Sequence, residues 1–171
     1  DLRKAIVSGV RIERDIRDVY SSSASYLVAG EYKESHARAM FEQEAFSLIP
    51  IIKSKRLDFV QFQYNIEERA AENYILPMAR DHGVATIINV PFGRGKLFKH
   101  TKGHTIPVWA TSFAKTWGEF YLKYIISHDS VTCVIPATSK PHHMLENAEA
   151  GMGQLPNLKQ RRKMVNYIKS I

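Results

Sequence analysis

Two stretches of this chain are apolar almost from end to end: Val84-Ala85-Thr86-Ile87-Ile88-Asn89-Val90 and Val131-Thr132-Cys133-Val134-Ile135. A strand with one wet face alternates polar and apolar residues. An unbroken apolar run of this length is how a strand buried on both faces reads in a parallel sheet covered by helices. Ahead of them, Leu57 to Tyr64 is an aromatic and β-branched strand whose alternation runs through Phe59, Val60, Phe62 and Tyr64. Glu67 to His82 is rich in Ala, Glu, Leu and Met and reads as helix. Pro77 divides it, so a helix is expected from near Ile75, with Pro77 in its first turn and Gly83 at its C′ position. Pro91-Phe92-Gly93-Arg94-Gly95 ends the next strand, and a long loop is expected after it, through Lys96, Lys102, Gly103 and Pro107. Trp117 to Ser127 is an amphipathic helix, with Phe120, Tyr121, Tyr124 and Ile125 at helical spacing. Pro136 to Lys140 reads as a loop, Pro141 to Ala150 as a helix and Pro156 to Ile171 as a last helix. This alternation of strands and helices predicts an α/β chain of βα units on a parallel sheet.

The length of 171 residues suits one domain, with room for a sizeable core. It is short for an eight-fold βα barrel, which needs about 250 residues. With 44% hydrophobic and 24% charged residues, the chain is not disordered, collagen-like or coiled-coil as a whole. A single cysteine, Cys133, excludes an internal disulfide framework and a cysteine zinc cluster. Lying mid-strand among valines, it is expected to be a buried, inert thiol. No apolar run approaches the ~18 residues of a membrane span, so no membrane association is expected. The net charge of +7 invites a polyanion. No RNA-recognition, zinc-finger or homeodomain pattern accompanies it, so a nucleic-acid partner is not expected. The start, Asp1-Leu2-Arg3-Lys4-Ala5, has no Met and no signal h-region. The chain is expected to be processed, truncated or part of a longer protein; the cytoplasm is the favoured compartment, with an exported form left open.

The segment with the strongest local chemistry runs from Val134 to Asn147. A buried strand ends, the small-residue loop Pro136-Ala137-Thr138-Ser139-Lys140 follows, and Pro141 opens a helix. Free N–H groups and the helix dipole at such a start make an anion site. Thr138 and Ser139 add hydroxyls, Lys140 adds a charge, and Glu146 and Asn147 lie on the helix within reach of an adenosine. The same residues also fit a plain helix start with Ser139 as its cap. Gly93-Arg94-Gly95-Lys96 is neither a Walker loop nor a dinucleotide fingerprint. His100 and His104 are four apart, but Gly103 argues against a helical metal pair. The adjacent His142 and His143 are expected to be solvated or cofactor-side, and no metal is expected. Arg161-Arg162-Lys163 could touch phosphates, although a solvated helix face is the simpler reading. Phe98 and Trp109 are candidate walls of an aromatic pocket.

Three of these segments, in this order, resemble the signatures of the aldo/keto reductase family. Asp58-Phe59-Val60-Gln61-Phe62-Gln63-Tyr64-Asn65 is similar to its sixth strand and following loop. Ile88-Asn89-Val90-Pro91-Phe92-Gly93-Arg94-Gly95-Lys96-Leu97 is similar to its next strand and Pro-x-Gly-x-Gly-x-Leu turn. Ile135-Pro136-Ala137-Thr138-Ser139-Lys140, with Glu146-Asn147, is similar to its last-strand signature for the cofactor's 2′-phosphate. The resemblance runs from about Leu57 to the C-terminus. It implies a (β/α)8 TIM-barrel-type fold, here an incomplete barrel or part of a longer one. It further implies extended NADP(H), and hydride transfer between the nicotinamide and an aldehyde or ketone and its alcohol. Gln61 falls where the family hydrogen-bonds the nicotinamide carboxamide. Asn89 falls where many members stack an aromatic on the nicotinamide, and so departs from the pattern. Ala137, Thr138, Ser139 and Lys140 fall on the phosphate loop. His143 falls where the family often has Arg, and a neutral His is a weaker anion ligand. Glu146 and Asn147 fall on the adenine-side pair.

The resemblance also implies catalytic Asp, Tyr, Lys and His from the barrel's earlier strands, with Tyr as proton donor. Residues 1–56 admit two registers within one barrel-like domain spanning 1–171. In the first, Tyr26 to Tyr32 is a strand leading directly into the helix before Leu57, and the chain is a C-terminal half-barrel without the tetrad. In the second, Gly9-Val10-Arg11-Ile12, Asp15 and Tyr20 resemble the family's Gly-Val-Arg stretch and Asp-x4-Tyr, which makes Asp15 and Tyr20 the catalytic candidates. Neither register supplies the Lys or His. A non-catalytic, barrel-derived nucleotide-binding or regulatory module is therefore the alternative function. A half-barrel would also leave strand edges unpaired, so self-association is expected of a true fragment.

Overall fold

The computed structural model describes residues 52–53 and 57–171. The chain divides at Asp58/Phe59 into two units, and the account below concerns the second. Its first strand, β1 (Phe59–Gln63), is followed by a single 3-10 turn at Ala70–Glu72 and helix α1 (Ile75–Asp81). Pro77 occupies the third helical position, where no intrahelical N–H bond is lost, and the first such bond runs from Met78 N–H to Tyr74 O at 3.1 Å. Gly83, at φ +69°, ends the helix as the spacing predicts. Its N–H returns to Arg80 O, and that of Val84 to Ala79 O.

Strand β2 (Ala85–Asn89) runs parallel to β1, pairing Phe59 with Ala85 and Gln63 with Asn89. The segment beyond it departs from the expected loop. After a 3-10 turn at Gly93–Gly95 it forms a short helix α2 (Lys96–His100), with a second 3-10 turn at Val108–Ala110. A tertiary contact explains it: Leu97 is fully buried, and its carbonyl accepts from the hydroxyls of Tyr121 and Thr101, both at 3.0 Å.

Helix α3 (Trp117–Ile126) starts at Thr116, whose hydroxyl accepts from Glu119 N–H, while the Glu119 carboxylate accepts from Lys115 N–H at 2.7 Å. Strand β3 is only Cys133–Val134, shorter than the apolar run suggests. Ahead of it, side chains replace the ladder. Thr86 N–H donates to the Thr132 hydroxyl, Thr132 N–H donates to the Thr86 hydroxyl, and the Thr86 hydroxyl donates to Ser130 O. Helix α4 (Pro141–Glu149) and helix α5 (Leu158–Ser170) complete the chain, the latter opened by a capping box between Asn157 and Gln160.

The sheet order is β1-β2-β3, all parallel, as βα alternation requires. Val60 and Phe62 from β1, with Thr86 and Ile88 from β2, form its buried face. Helix α1 packs on β2, and α3 packs on β3 and α4. The opposite face differs from expectation. Ala85 and Ile87 are only half-buried, Phe59 is 37% exposed and Ile135 47% exposed. Cys133, expected to be buried, is exposed on this face at the outer strand. The physical reason is coverage: among the described residues, helices protect one side of the sheet only.

Arg161 also departs from expectation, whereas Arg162 and Lys163 are exposed as a solvated helix face should be. Arg161 is 5% exposed, not part of a solvated helix face. Lys163 lies over the Trp109 ring, 4.6 Å from its centroid. That ring packs edge-on against Phe120 and Tyr167, so Trp109 belongs to the layer around α3 and α5. Phe98 likewise packs on Phe92 and Tyr121.

Candidate functional site

Parallel strands deliver their following loops to one edge of the sheet, and in βα architectures that C-terminal edge is where sites are built. Three loops emerge there, after Gln63, after Asn89 and after Val134. Asn65, buried beneath them, ties the first two together. Its Oδ1 accepts from the Glu67 and Glu68 N–H groups, both at 3.0 Å, and its Nδ2 donates to Val90 O at 3.3 Å. The second loop is strained. Val90 and Arg94 have φ of 51° and 54°, values that side-chain-bearing residues, and β-branched ones above all, adopt at a cost. Asn65 and Val90 were quoted in the sequence motifs without a role; an Asn directly after a strand, with an acid three positions on, is the Asx-turn signal that could have pointed to the first of them.

Of the residues singled out from sequence, Gln61 and Asn89 share the open face of the sheet, on neighbouring strands. Gln61 is exposed beside Ile87, and Asn89 stands beside Gln63. The Asn89 Oδ1 atom is buried and has no hydrogen-bond partner among the described residues. An acceptor left so costs free energy until a donor reaches it.

The remaining described candidates cluster on the third loop and α4. Ile135 N–H donates to Ile88 O at 2.9 Å, which holds the start of the loop to β2. Ala137, Ser139 and Lys140 are exposed, and Thr138 is half-buried. The helix is capped differently from the simple expectation: Lys140, not Ser139, is the N-cap residue, and it makes no side-chain cap. The Thr138 hydroxyl instead accepts from Lys140 N–H at 3.1 Å. With Pro141 at the first position, the backbone N–H groups of His142 and His143 lie in the first turn, where no intrahelical acceptor exists. His143, Glu146 and Asn147 are half-buried along α4. Asn147 Nδ2 lies 3.5 Å from Pro136 O, and the rings of His142 and His143 meet edge to face at 4.2 Å. Asp15 and Tyr20 lie outside the described residues. Among the described residues, no group of three or more His, Cys, Asp or Glu side chains is placed to hold a metal ion, and no helix is long and apolar enough to cross a membrane.

A polar hub that the sequence did not announce sits on the helix side of the sheet. The Arg161 guanidinium donates through Nη2 to Glu72 Oε1 at 2.9 Å and to the Tyr64 hydroxyl at 2.8 Å. Through Nη1 it donates to Tyr124 O and to the Ser127 hydroxyl. The Tyr64 and Tyr124 hydroxyls both donate to Glu72 Oε1, at 2.6 and 2.8 Å, and the guanidinium stacks 4.2 Å over the Tyr124 ring. Burial, with Glu72 adding to it, pushes the Tyr124 phenol up to about 12, and burial raises Tyr64 further. Both stay protonated donors, which makes this hub a structural clasp.

The comparisons with known proteins agree with this geometry. No curated protein matches the chain. Among solved structures it is similar to the aldo-keto reductase AKR11C1 from Bacillus halodurans. The holo form matches at 19% identity and a TM-score of 0.55, covering 71% of this chain and 46% of that one. The apo form matches at 18% identity and a TM-score of 0.56, covering 71% and 47%. The chain thus spans about half the length of these structures, and the likeness shows the fold: the strands and helices described above are part of a (β/α)8 barrel. Its open sheet face, with Gln61 and Asn89, is the face that such a barrel turns inward. The sequence model described as Aldo/keto reductase family matches residues 52–160, from ahead of β1 into α5. With the motif-bearing loops on one edge of a parallel barrel sheet and the family pattern running over well more than half of its residues, this chain belongs to the aldo/keto reductase family.

Proposed function

We propose that this chain carries the cofactor-binding part of an NADP(H)-dependent oxidoreductase that interconverts an aldehyde or ketone with its alcohol. The observation that carries the reading is the strand–loop–helix from Val134 to Asn147. It combines first-turn N–H groups, the Thr138 and Ser139 hydroxyls and the Lys140 ammonium at the C-terminal edge of the sheet. That donor set fits a phosphate. The unpartnered Asn89 Oδ1 fits a carboxamide N–H donor, in place of the ring stacking that an aromatic would offer. The residues present therefore suit a nicotinamide dinucleotide, which supplies hydride chemistry when bound.

In this reading Lys140 and Ser139 hold the 2′-phosphate, and Ala137 leaves room for the backbone approach. His143 stands beside the phosphate as a donor whose charge depends on pH. Glu146 and Asn147 meet the adenine side, and Gln61 and Asn89 orient the nicotinamide amide. Hydride delivery to a carbonyl carbon requires a proton at the carbonyl oxygen. In the register that likens Leu2 to Ser23 to the family's first helix and second strand, that role falls to Tyr20, with Asp15 as the second catalytic candidate. The domain is then one barrel-type unit over residues 1–171.

Titration of the chain with NADPH, read by nicotinamide fluorescence, tests the binding. Saturable quenching is expected, weakened about tenfold in Lys140→Met, the size of one charge-assisted hydrogen bond. The same substitution should leave NADH binding nearly unchanged. No quenching by a folded chain would overturn the proposal. Binding without turnover of any aldehyde would instead favour the non-catalytic nucleotide-binding module.

A further inference from the structure

On the helix side of the sheet, away from every residue assigned above to the dinucleotide, a cleft of about 280 Å³ opens between the Ala70–Glu72 turn, the end of α3 and α5. Four cationic side chains line it: Arg69, Arg161, Arg162 and Lys169. Among the described residues, the one carboxylate lining the cleft is Glu72. Its Oε1 already accepts from Arg161, Tyr64 and Tyr124, so its charge is shared within the clasp. Four positive groups less one negative leave the cleft with an excess of three positive charges.

Two further observations sharpen the cleft toward an anion. Arg69 Nε is buried without an acceptor among the described residues, and a buried guanidinium donor is costly to leave unmet. His128, also on the wall, accepts from Ser130 N–H through Nδ1 at 3.2 Å, so its neutral ring carries the proton on Nε2 as a donor. Donors thus outnumber free acceptors around the cavity. Leu158 and Val165 give it an apolar flank. Its volume is at the small end of ligand pockets, too small for a dinucleotide.

We propose that this cleft is an oxyanion site for a small phosphorylated metabolite. The phosphate would lie among Arg69, Arg161, Arg162 and Lys169, and a compact, weakly polar remainder would lie against Leu158 and Val165. Arg161 is held by the clasp and offers a fixed positive wall. Arg162 and Lys169 are exposed and free to close on the ligand. Binding here would brace α5 against the turn that follows β1.

The test uses inorganic phosphate, and glycerol phosphate as a small phosphomonoester, added to the full chain. The readout is the ring NMR resonances of His128 and His143, which report the cleft and the α4 loop separately. Both probes are expected to shift His128 saturably, with the phosphomonoester the tighter. Arg162→Ala combined with Lys169→Ala should weaken the His128 response at least tenfold without lowering the melting temperature, because both side chains are exposed. Lys140→Met should leave that response unchanged. A His128 resonance that does not move would overturn the proposal. So would a response equal in the double variant, or one abolished only by Lys140→Met. If a nucleic acid bound through Arg162 and Lys169 while both small phosphates left His128 unmoved, that too would overturn it.

Discussion

Arg161 shows what a single side chain does in this fold. A guanidinium has five donors, and here the fork spreads across a carboxylate, a phenol, a backbone carbonyl and a serine hydroxyl. Taking it away leaves Glu72, the Tyr64 hydroxyl and the Tyr124 backbone carbonyl short of partners. Arg161→Met is expected to lower stability by about 3 kcal/mol, seen as a lower urea midpoint with unchanged slope. Arg161→Lys should recover little of this, because an ammonium cannot span the fork. Two histidines impose opposite pH dependences. Burial, followed by the Arg161 charge, lowers His128, so its contribution is complete above the ordinary histidine range and is lost as pH falls toward the folded value. The hydrogen bond to Glu67, then that to Ile171 O, raises His100, so its contribution is complete below that range and is lost as pH rises through the folded value. Thermal melts across pH should therefore peak near the ordinary histidine pKa. His128→Gln should flatten the acid arm and His100→Gln the alkaline arm.

Among the described elements, the turn from Val90 to Gly95 holds the two positive-φ residues other than glycine, Val90 and Arg94. Val90 and Gly95 both have positive φ, of 51° and 85°. The backbone asks for glycine at both places and the sequence supplies it at one. Val90→Gly is expected to raise the melting temperature, since relief of roughly 1–3 kcal/mol of strain outweighs the added chain entropy. Gly95→Ala should lower the melting temperature through a loss of about 1 kcal/mol of stability, although no atom lies within 4 Å of the new methyl, because the cost is purely that of the backbone. Opposite signs at two positions of one turn would establish that conformation rather than packing governs it. The ends of helices were the most legible elements: Pro77, Gly83 and Pro141 sit where their backbone chemistry places them. The short helix Lys96–His100 was not legible. It rests on Leu97 meeting Tyr121, a residue 24 positions away.

At the scale of the whole sheet, the described residues leave one face sealed by helices and one with Phe59, Cys133 and Ile135 open. In a complete barrel the inward face is filled by side chains from every strand. Cys133 reports on that face directly. Its thiol is expected to react with an aromatic disulfide reagent at nearly the rate of an unfolded cysteine, and to become protected if a second copy of the chain covers the sheet. Comparing rates across a range of protein concentrations distinguishes the two, because self-association slows the reaction only when the chain is concentrated.

The sequence by itself determined the parallel arrangement, the positions of β1 and β2, the loop-to-helix start at Pro141 and the family. All of these are written in local periodicity, in turn chemistry and in the order of short motifs. The tertiary structure alone decided which polar groups are buried and which apolar ones are not. Arg161 reads as surface until it meets Glu72 and Tyr64, which lie 89 and 97 positions away. Cys133 reads as core until the described helices prove to cover the other side of the sheet. The N-cap of α4 falls on Lys140 rather than Ser139, with the Thr138 hydroxyl accepting from the Lys140 N–H. The physical reason is range. Backbone preference and periodicity act over a few residues, whereas burial and hydrogen-bond satisfaction depend on partners that only the folded chain brings together.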